Sequence, residues 1–180
     1  MNENAAAGLA LATGLVANGD FNESFSHPHF SYQVECVGAD GQVKWTETFE
    51  NLVTTVGKTD IVDKYFKGSA YTAAWFLGLK GAGAPAVGDT AVTHATWTEV
   101  NPYTGNRPAI VFGTTSAGSN TATQIAFAIT LAGPTTVAGA FIQSVNTGTT
   151  GILYSAGDFA TSRSVVSGDT LNVTPTVSVS

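Results

Sequence analysis

HFSYQVECVGADGQVKWTETF, residues 29–49, is the stretch that decides the fold. Apolar residues stand at every second position of its first half, which is typical of a strand with one buried face. They are Phe30, Tyr32, Val34 and Cys36. Asp40 and Gly41 form a strong signal for a tight hairpin turn, and the alternation resumes after it with Val43 and Trp45. The stretch therefore predicts an antiparallel β-hairpin.

The residues that follow the hairpin predict one short helix. Residues 53–56 favour extended structure and Gly57 is expected to break it, so the helix is predicted to begin at Lys58 or Thr59 and to end before Gly68. Its apolar face is predicted to consist of Ile61, Val62, Tyr65 and Phe66. Because so short a helix is marginal by itself, it must be held by packing on a sheet.

The rest of the chain reads as strands separated by turns. A buried strand is predicted over residues 71–79, with Trp75 in the core beside Trp45. Residues 93–99 fit either a strand or a single helical turn. Further strands are predicted at 109–112, 124–131, 136–145, 151–159 and 170–179. Pro175 cannot donate to a ladder, so the last strand is predicted to be an edge strand or to carry a bulge.

Regularly spaced strands with few helices predict the fold class. It is mainly β, an antiparallel β-sandwich or jelly-roll-like domain with one short helix. The domain is placed at residues 30–180, after an extended N-terminal arm at residues 1–29. The arm carries Phe21 and Phe25, and Phe30 follows directly at its end; these rings are expected to dock on the domain or on a neighbouring molecule, because exposed aromatic side chains are unfavourable.

Charge and hydropathy limit the classes of partner. Charged residues make up 11% of the chain, against roughly 25% in an ordinary soluble domain. The net charge is −6 and the seven basic residues are scattered, so nucleic acid is not an expected partner. No stretch is long and apolar enough for a membrane anchor, and the arm lacks the basic start of an export signal, so a soluble protein is predicted.

The second half of the chain is almost without charge. Beyond residue 100 the charged side chains are Arg107, Asp158, Arg163 and Asp169. A surface of this kind depends on hydroxyl groups for solubility, or is partly covered by partners.

The reactive side chains predict no catalytic site, no metal site and no cofactor. His27, His29 and His94 have no zinc spacing with Cys36, which is expected to be a buried or half-buried thiol. The acids beside glycines are interpreted as turn caps rather than calcium ligands. They are Asp40, Asp89, Asp158 and Asp169.

Two pairs of side chains remain as candidates for a functional surface. Glu35 and Glu47 could face each other across the hairpin as in a glycoside hydrolase, but on the polar faces of strands they are interpreted as solvated carboxylates. Trp97 and Tyr103 lie in loop-rich sequence and are the candidates for an exposed aromatic contact, for example with a sugar.

WTETFENLVTTVGKTDIVDKYFKGSAYTAAWFLGL, residues 45–79, resembles a family of small structural proteins of tailed bacteriophages. HATWTEV (94–100), RPA (107–109), GAFI (139–142), GTTGILYSAGDF (148–159) and VSGDTLNVT (166–174) resemble the same family, in the same order. The resemblance covers about residues 30–180 and leaves the arm out.

The resemblance implies a virion component without enzymatic activity. It points to a decoration or cement protein on the capsid surface, made in the host cytoplasm, that bridges major capsid subunits as a β-rich homotrimer with an extended arm. The alternative is a tail or fibre-associated attachment protein that binds a receptor or a glycan. In the capsid hypothesis the binding elements are the arm and the C-terminal strand, with Val173, Val177 and Val179.

Overall fold

The computed structural model describes residues 28–70 and 74–179, where the chain forms one helix and ten strands. The helix is α1 (Thr55–Tyr65). The strands are β1 (His29–Val37), β2 (Val43–Glu50), β3 (Leu52–Val53), β4 (Phe76–Lys80), β5 (Glu99–Val100), β6 (Ser119–Thr121), β7 (Ile125–Ala128), β8 (Thr135–Gln143), β9 (Leu153–Val165) and β10 (Thr170–Ser178). The predicted mainly-β class is confirmed. Almost all of the predicted arm lies outside the described residues.

Two antiparallel sheets pack face to face. The first has the order β2-β1-β10-β6, with β7 also paired to β10, and the second has the order β3-β9-β8-β4-β5. Aromatic side chains join the facing sides. Phe49 packs edge-on against Phe159 with ring centroids 5.1 Å apart, and Phe30 packs edge-on against Tyr154 at 5.5 Å. The architecture is the predicted sandwich.

The predicted hairpin is confirmed as the pair β1–β2. Gly41 has a φ of 77°, the left-handed conformation that its turn requires. The Asp40 carboxylate accepts a hydrogen bond of 3.0 Å from the N–H of Gln42, which fixes the turn. All four alternating apolar residues of β1 are buried.

The C-terminal strand β10 lies inside its sheet, so its prediction as an edge strand is wrong. β1 pairs with it over nine residue pairs on one side. β7 and β6 pair with its two halves on the other side. Pro175 lies between these halves, and its carbonyl accepts a hydrogen bond of 2.8 Å from the N–H of Ala122. The missing proline N–H is tolerated because the neighbouring strand is interrupted there.

The helix begins earlier than predicted. Thr54 is its N-cap, and the Thr54 hydroxyl accepts a hydrogen bond of 3.1 Å from the N–H of Gly57. Gly57 therefore lies inside α1 and does not break the chain. A Cβ at this position would lie 2.4 Å from the carbonyl oxygen of Tyr154, so glycine is needed for the close approach of α1 to β9.

The predicted apolar face of the helix is also wrong. Gly57 and Asp60 are the buried residues of α1, and Ile61 is half-buried. The other three apolar residues are exposed: Val62 by 54%, Tyr65 by 80% and Phe66 by 76%. Since the glycine contact fixes which side of α1 meets the sheet, these three side chains are left largely exposed to solvent.

Most of the remaining strand predictions hold with shifted ends, and one does not. The segment predicted over residues 71–79 is strand only over Phe76–Lys80 (β4), and residues 71–73 lie outside the described part of the chain. Residues 109–112 form isolated bridges instead of a strand. Trp45 and Trp75 pack against the core but are only partly buried.

A second layer covers the outer face of the second sheet. Along β8, Ala140 and Ile142 belong to the main core, whereas Phe141 belongs to a smaller cluster on the other face with Ala91 and Trp97. The long connection between β4 and β5 supplies Ala91 and Trp97 to this cluster. Burial on both faces explains why the sequence of β8 is almost uniformly apolar.

Candidate binding groove

An apolar groove of about 550 Å³ opens between α1 and the neighbouring ends of β1, β6 and β10. Aromatic side chains form its walls. Tyr154 meets Trp75 with ring centroids 5.2 Å apart and Phe30 at 5.5 Å, and Phe112 lies 6.2 Å from Phe30. A volume of this size is within the range of ligand and peptide pockets, roughly 300–1,000 Å³.

The helix supplies the charged groups of the groove. Asp60 and Lys64 form an ion pair of 3.8 Å one turn apart, so the lining carries no net charge from these two groups. Burial, with a smaller effect from the Asp60 charge, raises the pKa of Tyr154 to about 12. Because the walls are aromatic and the two charged groups are paired with each other, the groove favours an apolar occupant over a charged one.

Three exposed side chains lie on and beside the rim of the groove, and we call them the α1 patch: Val62, Tyr65 and Phe66. Tyr65 lines the groove and packs edge-on against Phe66 at 4.8 Å. A solvent-exposed pair of aromatic side chains often indicates a contact surface. The sequence showed these residues as apolar, but the helical periodicity assigned them to the core.

The predicted contact residues are divided between the core and the groove. Phe30 is 5% exposed and Val173 is 1% exposed, so both are core residues. Val177 is half-buried and Val179 is 53% exposed, and both line the groove. Phe21 and Phe25, in the predicted arm, lie outside the described residues.

Trp97 is not an exposed contact, so that prediction is wrong. It is 3% exposed, and its indole N–H donates a hydrogen bond of 2.8 Å to Asp89. His94 stacks on the ring with centroids 4.1 Å apart. The loop that carries Trp97 folds over the outer face of the second sheet, which local sequence could not reveal.

Tyr103 is half-buried and is not the predicted exposed contact either. Its ring packs against Phe127 at 4.8 Å. Burial, and then the charge of Glu99, raise its pKa to about 12.

Ion pairs occupy nearly all the basic side chains of the molecule. Six of the seven Lys and Arg residues pair with a carboxylate, and Lys58 is the other. The four charged residues of the second half all pair with the first half. Arg107 pairs with Glu99 at 2.6 Å, Arg163 with Glu47 at 3.3 Å and Asp169 with Lys44 at 2.7 Å. Asp158 pairs with Lys80.

Two of the acids interpreted as turn caps have that role in matching turns. The carboxylate of Asp89 accepts from the N–H of Ala86 at 2.9 Å, and that of Asp169 accepts from the N–H of Val166 at 3.0 Å. Each follows a glycine in a Gly-Asp-Thr tripeptide. Asp158 departs from the prediction, because it lies inside β9 and pairs across the sheet.

The acids considered for hydrolysis have structural partners. Glu35 stands opposite Thr46 in the hairpin rather than opposite Glu47. Glu47 accepts hydrogen bonds from Arg163 and from the backbone of Ala160. A further acid, Glu99, is held by Arg107, which also donates to backbone carbonyls of residues 145 and 148 and thereby fixes that loop.

The lone thiol is protected by the core. Cys36 is fully buried on β1, and burial, followed by the nearby Asp169 charge, raises its pKa to about 11. The prediction of a buried thiol is confirmed. Among the described residues there is no group of three or more His, Cys, Asp and Glu side chains placed to hold a metal ion.

Across residues 28–70 and 74–179, no helix has the length and apolar character needed to cross a membrane. Comparison of the whole chain with protein-family models gives no matching model, and comparison with curated protein sequences gives no significant match.

Proposed function

We propose that the chain is a non-enzymatic structural protein of a tailed-bacteriophage virion, a decoration or cement protein that binds neighbouring major capsid subunits. The α1 patch, beside the apolar groove, is the observation that carries the proposal. Burying one large apolar side chain contributes about 1.5–3 kcal/mol. Tyr65 and Phe66 are exposed by 80% and 76%, so burying them against a partner would contribute a large binding free energy.

The rest of the surface supports an assembly role. Since most basic side chains already have intramolecular partners, little positive charge remains to attract nucleic acid or an anionic membrane. A charge-poor surface can also be buried in a lattice with a small desolvation cost. The sequence resemblance further implies a homotrimer, which would present three α1 patches together and convert weak single contacts into strong attachment.

The location of the protein on the virion tests the proposal. Antibodies raised against the folded chain are applied to virions of the phage that encodes it, and labelling is followed by electron microscopy. The proposal expects label over the head. Label confined to the tail would support the alternative attachment role, and virions without label would contradict any structural role.

A pair of variants tests the α1 patch itself. Tyr65→Ser together with Phe66→Ser is expected to reduce binding to capsids that lack the protein by at least about tenfold, because two anchor side chains are removed. Val92→Ser is the matched control, since Val92 is 73% exposed in the loop between β4 and β5. Both proteins should have the circular dichroism of the parent. Equal binding by the two variants would remove the patch from the interface.

A further inference from the structure

The groove lies where the N-terminal segment meets the domain. Pro28, the first described residue, is itself part of the groove lining. The 27 residues that precede it therefore join the domain at the rim of an apolar cavity. Phe25 stands three positions before Pro28 and Phe21 seven positions before it.

Chain length places both phenylalanines within reach of the groove. An extended chain spans at most about 3.5 Å per residue, so Phe25 lies within about 10 Å of Pro28 and Phe21 within about 25 Å. Because Pro28 itself lines the groove together with Phe30, Trp75 and Phe112, both rings can reach the groove.

We propose that Phe25 of the same chain fills the groove, with Phe21 beside it. The aromatic walls favour a phenylalanine ring through edge-to-face contacts. Lys64 and Asp60, the lysine and the aspartate of the lining, form an ion pair with each other. A neutral aromatic side chain in the groove therefore meets no unbalanced charge. The same chain is preferred to a second copy because the linker between Phe25 and Pro28 is only Ser26 and His27, which gives an effective concentration in the millimolar range or above.

The inference goes beyond the virion role, because it concerns the isolated chain and does not depend on a capsid. It gives the two apolar features separate occupants. The groove takes the arm of its own chain, and the part of the α1 patch that stays exposed beside the groove remains for the partner, with Tyr65 bordering both. It also ties the arm to α1, the element that carries the patch.

Photo-crosslinking tests the proposal directly. The full chain is made with p-benzoyl-phenylalanine in place of Phe25, irradiated, and mapped by mass spectrometry. The expected product is a crosslinked monomer, with bonds to groove residues such as Trp75 or Phe112. Crosslinks between two chains would overturn the proposal in favour of an exchanged arm. Crosslinks outside the groove, or none, would overturn it altogether. The same photo-reactive residue in place of Val92 is the control for random contact.

Dye binding gives a second measurement on the full chain. Phe25→Ser should raise the fluorescence of anilinonaphthalene sulfonate roughly twofold or more, because the dye binds apolar surface that the ring no longer covers. Ser24→Ala, the neighbouring change in the same segment, should leave the signal at the parent level. An equal signal from Phe25→Ser and the parent would contradict the proposal.

Discussion

Single residues carry the most distinctive electrostatics of the molecule. The Lys80 side chain is fully buried on β4, and its ammonium donates to Asp158 and to the carbonyls of Gly81 and Gly83. Its three donors are thereby used. Lys80 and Asp158 stand on either side of Gly139 in one row across the sheet, so the lysine spans β8 to reach its partner.

The two members of this pair differ in burial, which predicts unequal costs for their removal. The Asp158 side chain is 35% exposed, whereas that of Lys80 is 0% exposed. Asp158→Ala should destabilise the fold by about 3–5 kcal/mol, because it leaves a buried ammonium without its counter-charge. Lys80→Met should cost clearly less, because water can solvate the remaining carboxylate. Urea unfolding of both variants measures the difference, and equal losses would contradict this explanation.

At the scale of elements, the contact between α1 and β9 is set by a glycine. A glycine inside an exposed helix costs about 1 kcal/mol relative to alanine, so Gly57→Ala would ordinarily stabilise α1. Here the added Cβ would meet the carbonyl oxygen of Tyr154 at 2.4 Å.

We therefore expect Gly57→Ala to destabilise the protein by about 1–3 kcal/mol, the usual cost of overpacking. Lys58→Ala, at the next and exposed position of the helix, is the control and should change the free energy of unfolding by less than about 0.5 kcal/mol. Chemical denaturation of both variants checks the sign. A stabilised Gly57→Ala would show that α1 can move away from β9 at little cost.

The central position of β10 predicts that the fold does not tolerate its removal. Removal of residues 170–179 should abolish folding, because β1, β6 and β7 all lose their common partner. Removal of residues 1–25 should leave the two sheets intact, since every described strand of both sheets lies between His29 and Ser178. Circular dichroism and thermal melting distinguish the outcomes. A folded protein without residues 170–179 would restore the edge-strand interpretation of the C-terminus.

For the whole molecule, burial of phenols and a thiol predicts loss of stability in alkali. A tyrosine in the unfolded chain releases its proton near pH 10, whereas burial raises the pKa of Tyr103 and Tyr154 to about 12 and that of Tyr32 further. Between these values the folded state binds more protons than the unfolded state. The free energy of unfolding therefore falls as pH rises from about 10 to 12. Below about pH 10 the stabilising contribution of the buried, protonated phenols is fully present.

Urea unfolding at a series of pH values measures this slope. The Tyr154→Phe variant, which lacks one of the shifted phenols, should show a shallower decline than the parent. The part of the phenolate absorbance that comes from Tyr32, Tyr103 and Tyr154 should rise together with the loss of the circular dichroism signal. Ionisation of all the tyrosines near pH 10 in a protein that stays folded would contradict the prediction.

The sequence by itself determined the fold class, the β1–β2 hairpin, the Gly-Asp turns and most strand positions. These follow from alternation and turn chemistry, which act between neighbours in the chain. The α1 patch, the burial of Trp97, the central position of β10 and the pairing of distant charges were decided only by the tertiary structure. Each depends on contacts between residues far apart in sequence: Gly57 with Tyr154, Trp97 with Phe141, β10 with β1, β6 and β7, and Lys80 with Asp158. Helical periodicity identified apolar side chains in α1, but the close approach at Gly57 determined which of them remained in water.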